Sequence, residues 1–201
     1  TPAKDEQGVI WLAKDKMRED TGLNSTIVRL DLNRIFMIDN SAKTYSEIEL
    51  PVDLEKAFPP EAKQMMQMMQ VTATVTDTGE TQQIKGWNCK KYLAEITVSM
   101  MGMNMPTKME TWTTKDIDID LDLYKKLYDV TLLLNPMIKD YIAEFEKMQG
   151  FPVLTKTSMT MMGTETKSQE ELLSVEKKDP PPGIYDLPQG YTKAAFNPFQ
   201  R

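Results

Sequence analysis

The sequence predicts a single α+β domain over residues 1–201, built on one antiparallel sheet of about ten strands with two helical segments packed against it. Most of the chain alternates apolar and polar residues, which is the period of a strand with one wet face. Over 59–70 and 123–148 the apolar residues instead recur at helical spacing. With 201 residues, 40% of them apolar, the chain is long enough to bury a core.

Residues 8–50 are predicted to form five short strands, because β-prone runs alternate there with tight turns. In one of these strands, Thr26–Leu32, the side chains of Val28, Leu30 and Leu32 share a face. Residues 51–70 are predicted to be a helical lid segment. Pro59, Pro60 and Glu61 suit a helix start, and the residues on one side of that helix are Ala62, Met65, Met66 and Met69.

The rest of the chain is divided in the same way. Strands are expected over 71–114, a helical segment over 115–150, a hairpin over 151–178 and a proline-rich tail over 179–201. Turn residues place turns at Asp77–Glu80, Gly102–Asn104 and Gly163, a helix start at Asn135 and Pro136, and a helix end at Gly150. A short edge strand and turn are expected within 184–191.

Composition excludes several classes of function. The chain has no histidine, so it has no Ser-His-Asp triad, Cys-His pair or imidazole zinc site, and its one cysteine, Cys89, cannot form an internal disulfide. A net charge of −6 gives no general attraction to nucleic acid, and no run approaches the ~20 apolar residues of a membrane helix. Phosphate-binding loops and nucleophile elbows are also missing. We therefore expect a non-catalytic protein without a cofactor.

Methionine is the unusual feature, with 16 residues, twelve of them in three groups. Two groups flank the predicted turns at Gly102 and Gly163, and antiparallel pairing would bring both turns to one end of a sheet. Thioether side chains are flexible and polarizable, which suits a surface that accepts apolar ligands of varied shape. The candidate ligand-binding methionines are Met65, Met66, Met69, Met100, Met103, Met105, Met159 and Met161.

Each of these features also has another interpretation, either structural or as a metal site. The methionines could simply fill a core, or Met100, Met101, Met103 and Met105 could bind Cu(I), which favours thioethers. The alternating Asp116, Asp118, Asp120 and Asp122 indicate an acidic strand edge more than a Ca²⁺ site. Cys89 is expected to be buried rather than reactive. Trp112, which would lie either in the core or at the rim, is a further candidate ligand-binding residue.

Several fragments, in order and spread from about Gly8 to Tyr191, resemble a family of exported bacterial proteins. They are Lys16–Arg18, Ile35–Asp39, Lys43–Tyr45, Ile84–Tyr92, Glu110–Thr114 and Pro182–Tyr191. That family is classified only as a domain of unknown function and is similar to the outer-membrane lipoprotein carriers, the LolA/LolB-like group. The resemblance implies a strongly curved antiparallel sheet, a half-open barrel with helices packed in its concave side. It also implies an interior for acyl chains, and an Arg18 that points inward to a helix or a ligand head group.

The predicted function is a periplasmic binding or carrier protein for a lipid or other apolar ligand, held between the curved sheet and its helices. The ligand would enter as a helix leaves the barrel mouth. The alternatives are a methionine-based Cu(I) protein and a structural or assembly protein of the cell envelope with a filled core. We expect a periplasmic or outer-membrane-associated location, possible envelope protein partners, no nucleic acid and no transmembrane segment. Because the chain starts at Thr1 rather than Met, an upstream segment is expected to have been removed, by signal-peptide cleavage or by trimming of the sequence, and the expected location presumes a cleaved signal peptide.

Overall fold

A computed structural model describes residues 5–53, 58–135, 141–161 and 163–196. Within them the strands are β1 (Gly8–Ala13), β2 (Lys16–Thr21), β3 (Asn24–Arg29), β4 (Arg34–Asp39), β5 (Thr44–Glu49), β6 (Met69–Ile84), β7 (Trp87–Met100), β8 (Met103–Thr114), β9 (Phe151–Met161), β10 (Thr164–Glu171) and β11 (Thr192–Lys193). The helices are α1 (Pro60–Gln67), α2 (Leu121–Leu132) and α3 (Ile142–Phe145).

The strands form two mostly antiparallel sheets, so the prediction of one continuous sheet is wrong. The first has the order β1-β2-β3-β4-β5-β11 and the second β10-β9-β8-β7-β6. Neither sheet closes on itself within the described residues. The chain accordingly divides into two compact units, one holding the first sheet, nearly all of α2 and the C-terminal segment from Lys178, the other holding β6–β10 and α3. The α+β class is confirmed, while a single domain stays a prediction.

In the first unit the five strands pair in chain order as the predicted meander. The predicted strand Thr26–Leu32 is too long, however, since β3 ends at Arg29 and Leu30–Leu32 form a 3₁₀ turn. Asn33 ends that turn in the left-handed conformation, which Asn tolerates better than most residues, and its N–H donates to the Leu30 carbonyl. Leu32 is consequently half exposed instead of sharing the buried face of Val28.

The C-terminal segment packs on the first sheet. Ile184, Leu187 and Tyr191 contact the cluster formed by Ile27, Ile38 and Tyr185. The edge strand predicted within 184–191 is a turn instead, and the strand comes later as β11, parallel to β5. The segment is therefore part of the apolar core of this unit.

The second unit is built on longer strands. Predicted as two strands around a turn at Asp77–Glu80, β6 is one strand with a bulge, because Asp77 pairs with Tyr92 while Thr81 pairs with Lys90. The residues of the bulge make one local and one cross-strand bond: the Gly79 N–H donates to Asp77 Oδ1 (3.0 Å), and Thr78 Oγ1 donates to the Lys91 carbonyl of β7 (3.0 Å). The residues Asp77–Glu80 are typical of a turn, but a bulge within a strand can use the same residue types.

The helices are shorter than predicted. Because α1 ends at Gln67, Met69 is the first residue of β6 and does not belong to the predicted helical face. Helix α2 matches the predicted segment from 123, whereas α3 has only four residues, and 136–140 of the predicted second helix lie outside the described residues. Helix α3 is fixed to β6, since the Val75 N–H donates to Glu144 Oε2 (3.0 Å) and the Tyr141 hydroxyl donates to the Val71 carbonyl.

Candidate functional site

Three methionines stand in register across three neighbouring strands of the second sheet. Met69 of β6 pairs with Met100 of β7, and Met100 pairs with Met103 of β8. Directly paired residues of antiparallel strands project to the same side of the sheet, with Cβ atoms ~4.5–5.5 Å apart. Met69 and Met100, which are 31 positions apart in the sequence, are thus brought side by side.

The same side of the sheet carries three further methionines. Met105 lies two residues after Met103, and Thr107, two residues further, pairs with Met159 of β9. Met161 follows two residues after Met159, so strand alternation puts it on that side as well. The predicted meeting of the Gly102 and Gly163 turns at one end of a sheet is confirmed. We call Met69, Met100, Met103, Met105, Met159 and Met161 the methionine face.

The methionine face is only partly buried. Met103, Met159 and Met161 are 46%, 39% and 49% exposed, and the other three are half-buried. Further from the turns the same side becomes a buried apolar surface. It includes Val98, Ile96 and Ala94, which alternate with Met100 along β7. The thioethers therefore form the accessible end of a continuous apolar surface.

The opposite side of this sheet end is polar. Ser99 bonds Asn104 (2.7 Å), and Ser158 donates to Glu165 (2.6 Å). Lys108 forms a 3.2 Å ion pair with Glu95 of β7. A sheet with one wet side and one apolar side needs to cover the apolar one. The exposed thioethers therefore lie on the side of the sheet that is expected to be covered.

The methionines of α1 come immediately before the methionine face in the chain. Met65 is exposed, Met66 is half-buried, and the Met68 N–H donates to the Met65 carbonyl (3.1 Å) as the helix ends. Chain connectivity thus keeps them within a few residues of Met69. The side chain of Ala62, predicted on the same helical side, and residue Met162 lie outside the described residues.

Trp112 does not join the methionine face. Trp112 pairs with Lys91 of β7. Every second residue of β7 from Tyr92 to Met100 lies on the side of the methionine face, so Lys91 and Trp112 lie on the other side of the sheet. There it packs with Cys89 and Val153 in a buried cluster. Its indole N–H donates to Glu110 (3.0 Å), which helps to hold the pKa of that carboxyl below its usual value. Of the two interpretations of Trp112, core residue and rim residue, the structure supports the core.

Arg18 belongs to the other unit. It lies in β2, where its guanidinium donates to Asp20 (2.8 Å), to Ser25 (3.4 Å) and to the Ile184 carbonyl (3.0 Å). Arg18 thus ties the C-terminal segment to the first sheet. The resemblance predicted a partner on a helix or a ligand, and the described partners are a strand and a turn.

The aspartates considered as a Ca²⁺ site make separate interactions. Asp116 accepts from the Asn88 amide (2.8 Å) and Asp118 pairs with Lys177 (2.6 Å), so these acidic side chains face different partners. A cleft of about 210 Å³ is lined by residues that include Asn88, Cys89, Tyr92 and Asp116. It is below the ~300 Å³ at which small-molecule pockets usually begin.

Sequence reasoning missed the depth of the apolar surface. Met109 lies on the same side as the methionine face and packs against Val75, Tyr92 and Ala94, together with Phe145 and Met148. The signal was the alternation from Tyr92 to Met100, which identified a strand but not which strands would lie beside it. Pairing partners depend on contacts far apart in the chain, which periodicity does not contain.

The second sheet thus carries an accessible methionine face at one end, and the described residues include no group of three or more His, Cys, Asp or Glu side chains that could hold a metal ion. The chain matches the family described as Domain of unknown function (DUF4412) over residues 5–191, and it belongs to that family. Neither a curated protein nor a solved structure matches it. Within the described residues, none of the helices has the length and apolar character needed to cross a membrane.

Proposed function

We propose that the protein is a non-catalytic binding or carrier protein for an apolar ligand, such as a lipid acyl chain, which it takes up on the methionine face. The observation that carries the proposal is the convergence of six methionines from four strands on one accessible side of the second sheet. Methionine adapts to ligand shape at little cost, since its side chain is unbranched and its sulfur is polarizable.

Met101, in the turn next to the methionine face, lies outside the proposed ligand site. This residue is 75% exposed and adopts a left-handed backbone with φ 51°, as the first of the two turn residues Met101 and Gly102. Gly or Asn would suit that position better, because Cβ approaches the following carbonyl oxygen in the left-handed conformation, while Gly has no Cβ and the short Asn side chain can hydrogen-bond locally. An exposed methionine in a turn contributes little to a core or to the methionine face, which makes Met101 a suitable control position.

The energetics of such binding need no charged anchor. Removing apolar area from water contributes about 0.8 kcal/mol per buried CH₂ group. If an acyl chain lay along the methionine face toward Val98 and Ile96, both its own methylene groups and the methionine side chains would be removed from water. The proposal therefore expects affinity to rise with acyl-chain length.

The finer features of this proposal depend on the resemblance to the lipoprotein carriers. In that form the antiparallel sheet is strongly curved, the ligand lies between the sheet and helices, and the protein works in the periplasm or at the outer membrane.

Fluorescent fatty-acid titration of the full chain tests the proposal. Replacing Met100, Met105 and Met159 together by Gln keeps side-chain length but makes the face polar, and we expect binding at least ten-fold weaker. The matched control is the pair Met68→Gln and Met101→Gln, exposed residues outside the methionine face, which should bind like the parent chain. No saturable binding by the parent, or equal binding by both variants, would contradict the proposal.

A further inference from the structure

We propose that Met69, Met100 and Met103 form a site for a soft monovalent metal ion, Cu(I), a function beyond apolar-ligand binding. The three residues are the only part of the methionine face in which each neighbouring pair is directly opposed across adjacent strands. With Cβ atoms ~4.5–5.5 Å apart and the sulfur two bonds beyond, the three thioethers can converge on one ion. Met100 stands in the middle, on β7.

The hairpin between β7 and β8 sets this arrangement. Its two central residues, Met101 and Gly102, have φ of 51° and 77°, the left-handed pair required by the tightest hairpin turn. Across the other side of the sheet, the 2.7 Å bond between Ser99 and Asn104 secures the same register. Two of the three ligands are therefore placed before any metal binds, which reduces the ordering cost of binding.

The surroundings select for a soft ion. Next to the three methionines on the same side lie Val71, Val98 and Met105, which offer no oxygen ligand. Zn²⁺ binds through thiolate, imidazole or carboxylate, and the chain contains no histidine at all. Soft thioethers instead favour Cu(I), and a monovalent ion is less costly than a divalent one to hold among neutral ligands.

The structure also revises which residues take part. Sequence proximity suggested Met100, Met101, Met103 and Met105 as a set. Met101 lies in the turn rather than on the face, whereas Met69, 31 residues before Met100, lies directly beside it. Met105 pairs with Val98 and stands one place further along the same side, where it is the next available sulfur.

Anaerobic Cu(I) titration against a chromogenic Cu(I) chelator tests the site on the full chain. We expect one Cu(I) per chain with an affinity at least micromolar, and no comparable uptake of Zn²⁺. The triple variant Met69→Leu, Met100→Leu and Met103→Leu should bind at least 100-fold more weakly, because leucine keeps the volume but has no sulfur. The matched control, Met65→Leu, Met68→Leu and Met101→Leu, should titrate like the parent.

No Cu(I) binding by the parent chain, or equal loss in both triple variants, would overturn the site. Should the first triple variant fail to fold, Met103→Leu alone, at a 46% exposed position, replaces it and should weaken binding about ten-fold. Fatty-acid binding separates this inference from the proposed function. Leucine preserves the apolar face, so the triple variant should lose Cu(I) while still binding the fatty acid.

Discussion

Cys89 shows how burial decides the chemistry of a single residue. Its side chain is 1% exposed, its Sγ lies 3.5 Å from the Trp87 carbonyl oxygen, and burial raises the pKa of the thiol. Thiolate, not thiol, is the reactive form. We expect iodoacetamide at neutral pH to leave folded protein unmodified over hours and to modify it fully in denaturant, as read by intact mass. Rapid alkylation of the folded chain would contradict this placement.

Asp31 gives a prediction about acid stability. Both carboxylate oxygens accept from the Arg29 guanidinium at 2.8 Å, and this pairing lowers the pKa of Asp31 from 3.8 to about 2. A carboxyl whose pKa is lower in the folded state contributes stability above its unfolded value and loses it as pH falls through the folded one. Thermal unfolding should therefore show a loss of stability between about pH 4 and pH 2.

The variant Asp31→Asn should reduce that loss while lowering stability at neutral pH, because the charged partner of Arg29 is gone. Differential scanning calorimetry from pH 7 to pH 2 measures both effects. An unchanged pH profile in the variant would show that other carboxylates account for the acid dependence.

At the residue scale the sequence identified chemistry better than position. The clustering of methionines near Gly102 and Gly163 is retained in the fold, and Met103, Met159 and Met161 are exposed, while their binding of a ligand stays a prediction. Trp112 and Arg18 were assigned to the same site, yet Trp112 lies on the opposite side of the sheet and Arg18 lies in the other unit. Which side of a strand a residue takes changes with a shift of one position, and local sequence does not fix that register.

The β7–β8 hairpin yields an element-scale prediction. Met101 occupies a left-handed position that costs a non-glycine residue about 1–2 kcal/mol, and Asn is better tolerated there. Met101→Asn should raise the free energy of unfolding by about 1 kcal/mol in a urea titration. Met68→Asn, an exposed position just after α1, serves as the control and should not stabilise the chain. A destabilised Met101→Asn would mean that the Met101 side chain makes stabilising contacts.

The turn that leads into β9 depends on Gly150. It has φ 101°, and a Cβ there would lie 2.5 Å from the Thr114 carbonyl oxygen, so β8 blocks any side chain. Gly163 also has a positive φ, 78°, but opens to solvent. Gly150→Ala should therefore cost about 3 kcal/mol or more of unfolding free energy, and Gly163→Ala about 1. Equal costs would show that conformation alone, not the contact with Thr114, matters.

Element boundaries were predictable where turn residues and periodicity agreed. The five strands of 8–50 and helix α2 fall close to the predicted positions. Predictions failed where a local signal had two structural outcomes. The residues Asp77–Glu80 suit a turn and a bulge equally, and Met69 continues the helical spacing of α1 yet pairs with Met100 in the sheet. In both cases strand pairing over long range decided the result.

At the scale of the whole molecule, periodicity counted the strands well but did not assign them to sheets. About ten strands were expected in one sheet, and the described residues form a six-stranded and a five-stranded sheet. In chain order α1 lies between β5 of the first sheet and β6 of the second. The change from strand-like to helical periodicity at α1 therefore falls where the chain passes from one sheet to the other. The division into two sheets also confines the methionine face to the second sheet, so the proposed ligand site lies on that sheet.

Methionine-methyl NMR tests the central claim most directly, since every methionine reports separately. In ¹³C-methyl-labelled protein titrated with a medium-chain fatty acid, we expect shifts at Met69, Met100, Met103, Met105, Met159 and Met161. Met17 and Met37, which lie in strands of the first sheet, are internal controls and should not move. Saturable shifts confined to the methionine face would support the proposed binding site. Absent shifts, or shifts of equal size at Met17 and Met37, would contradict it.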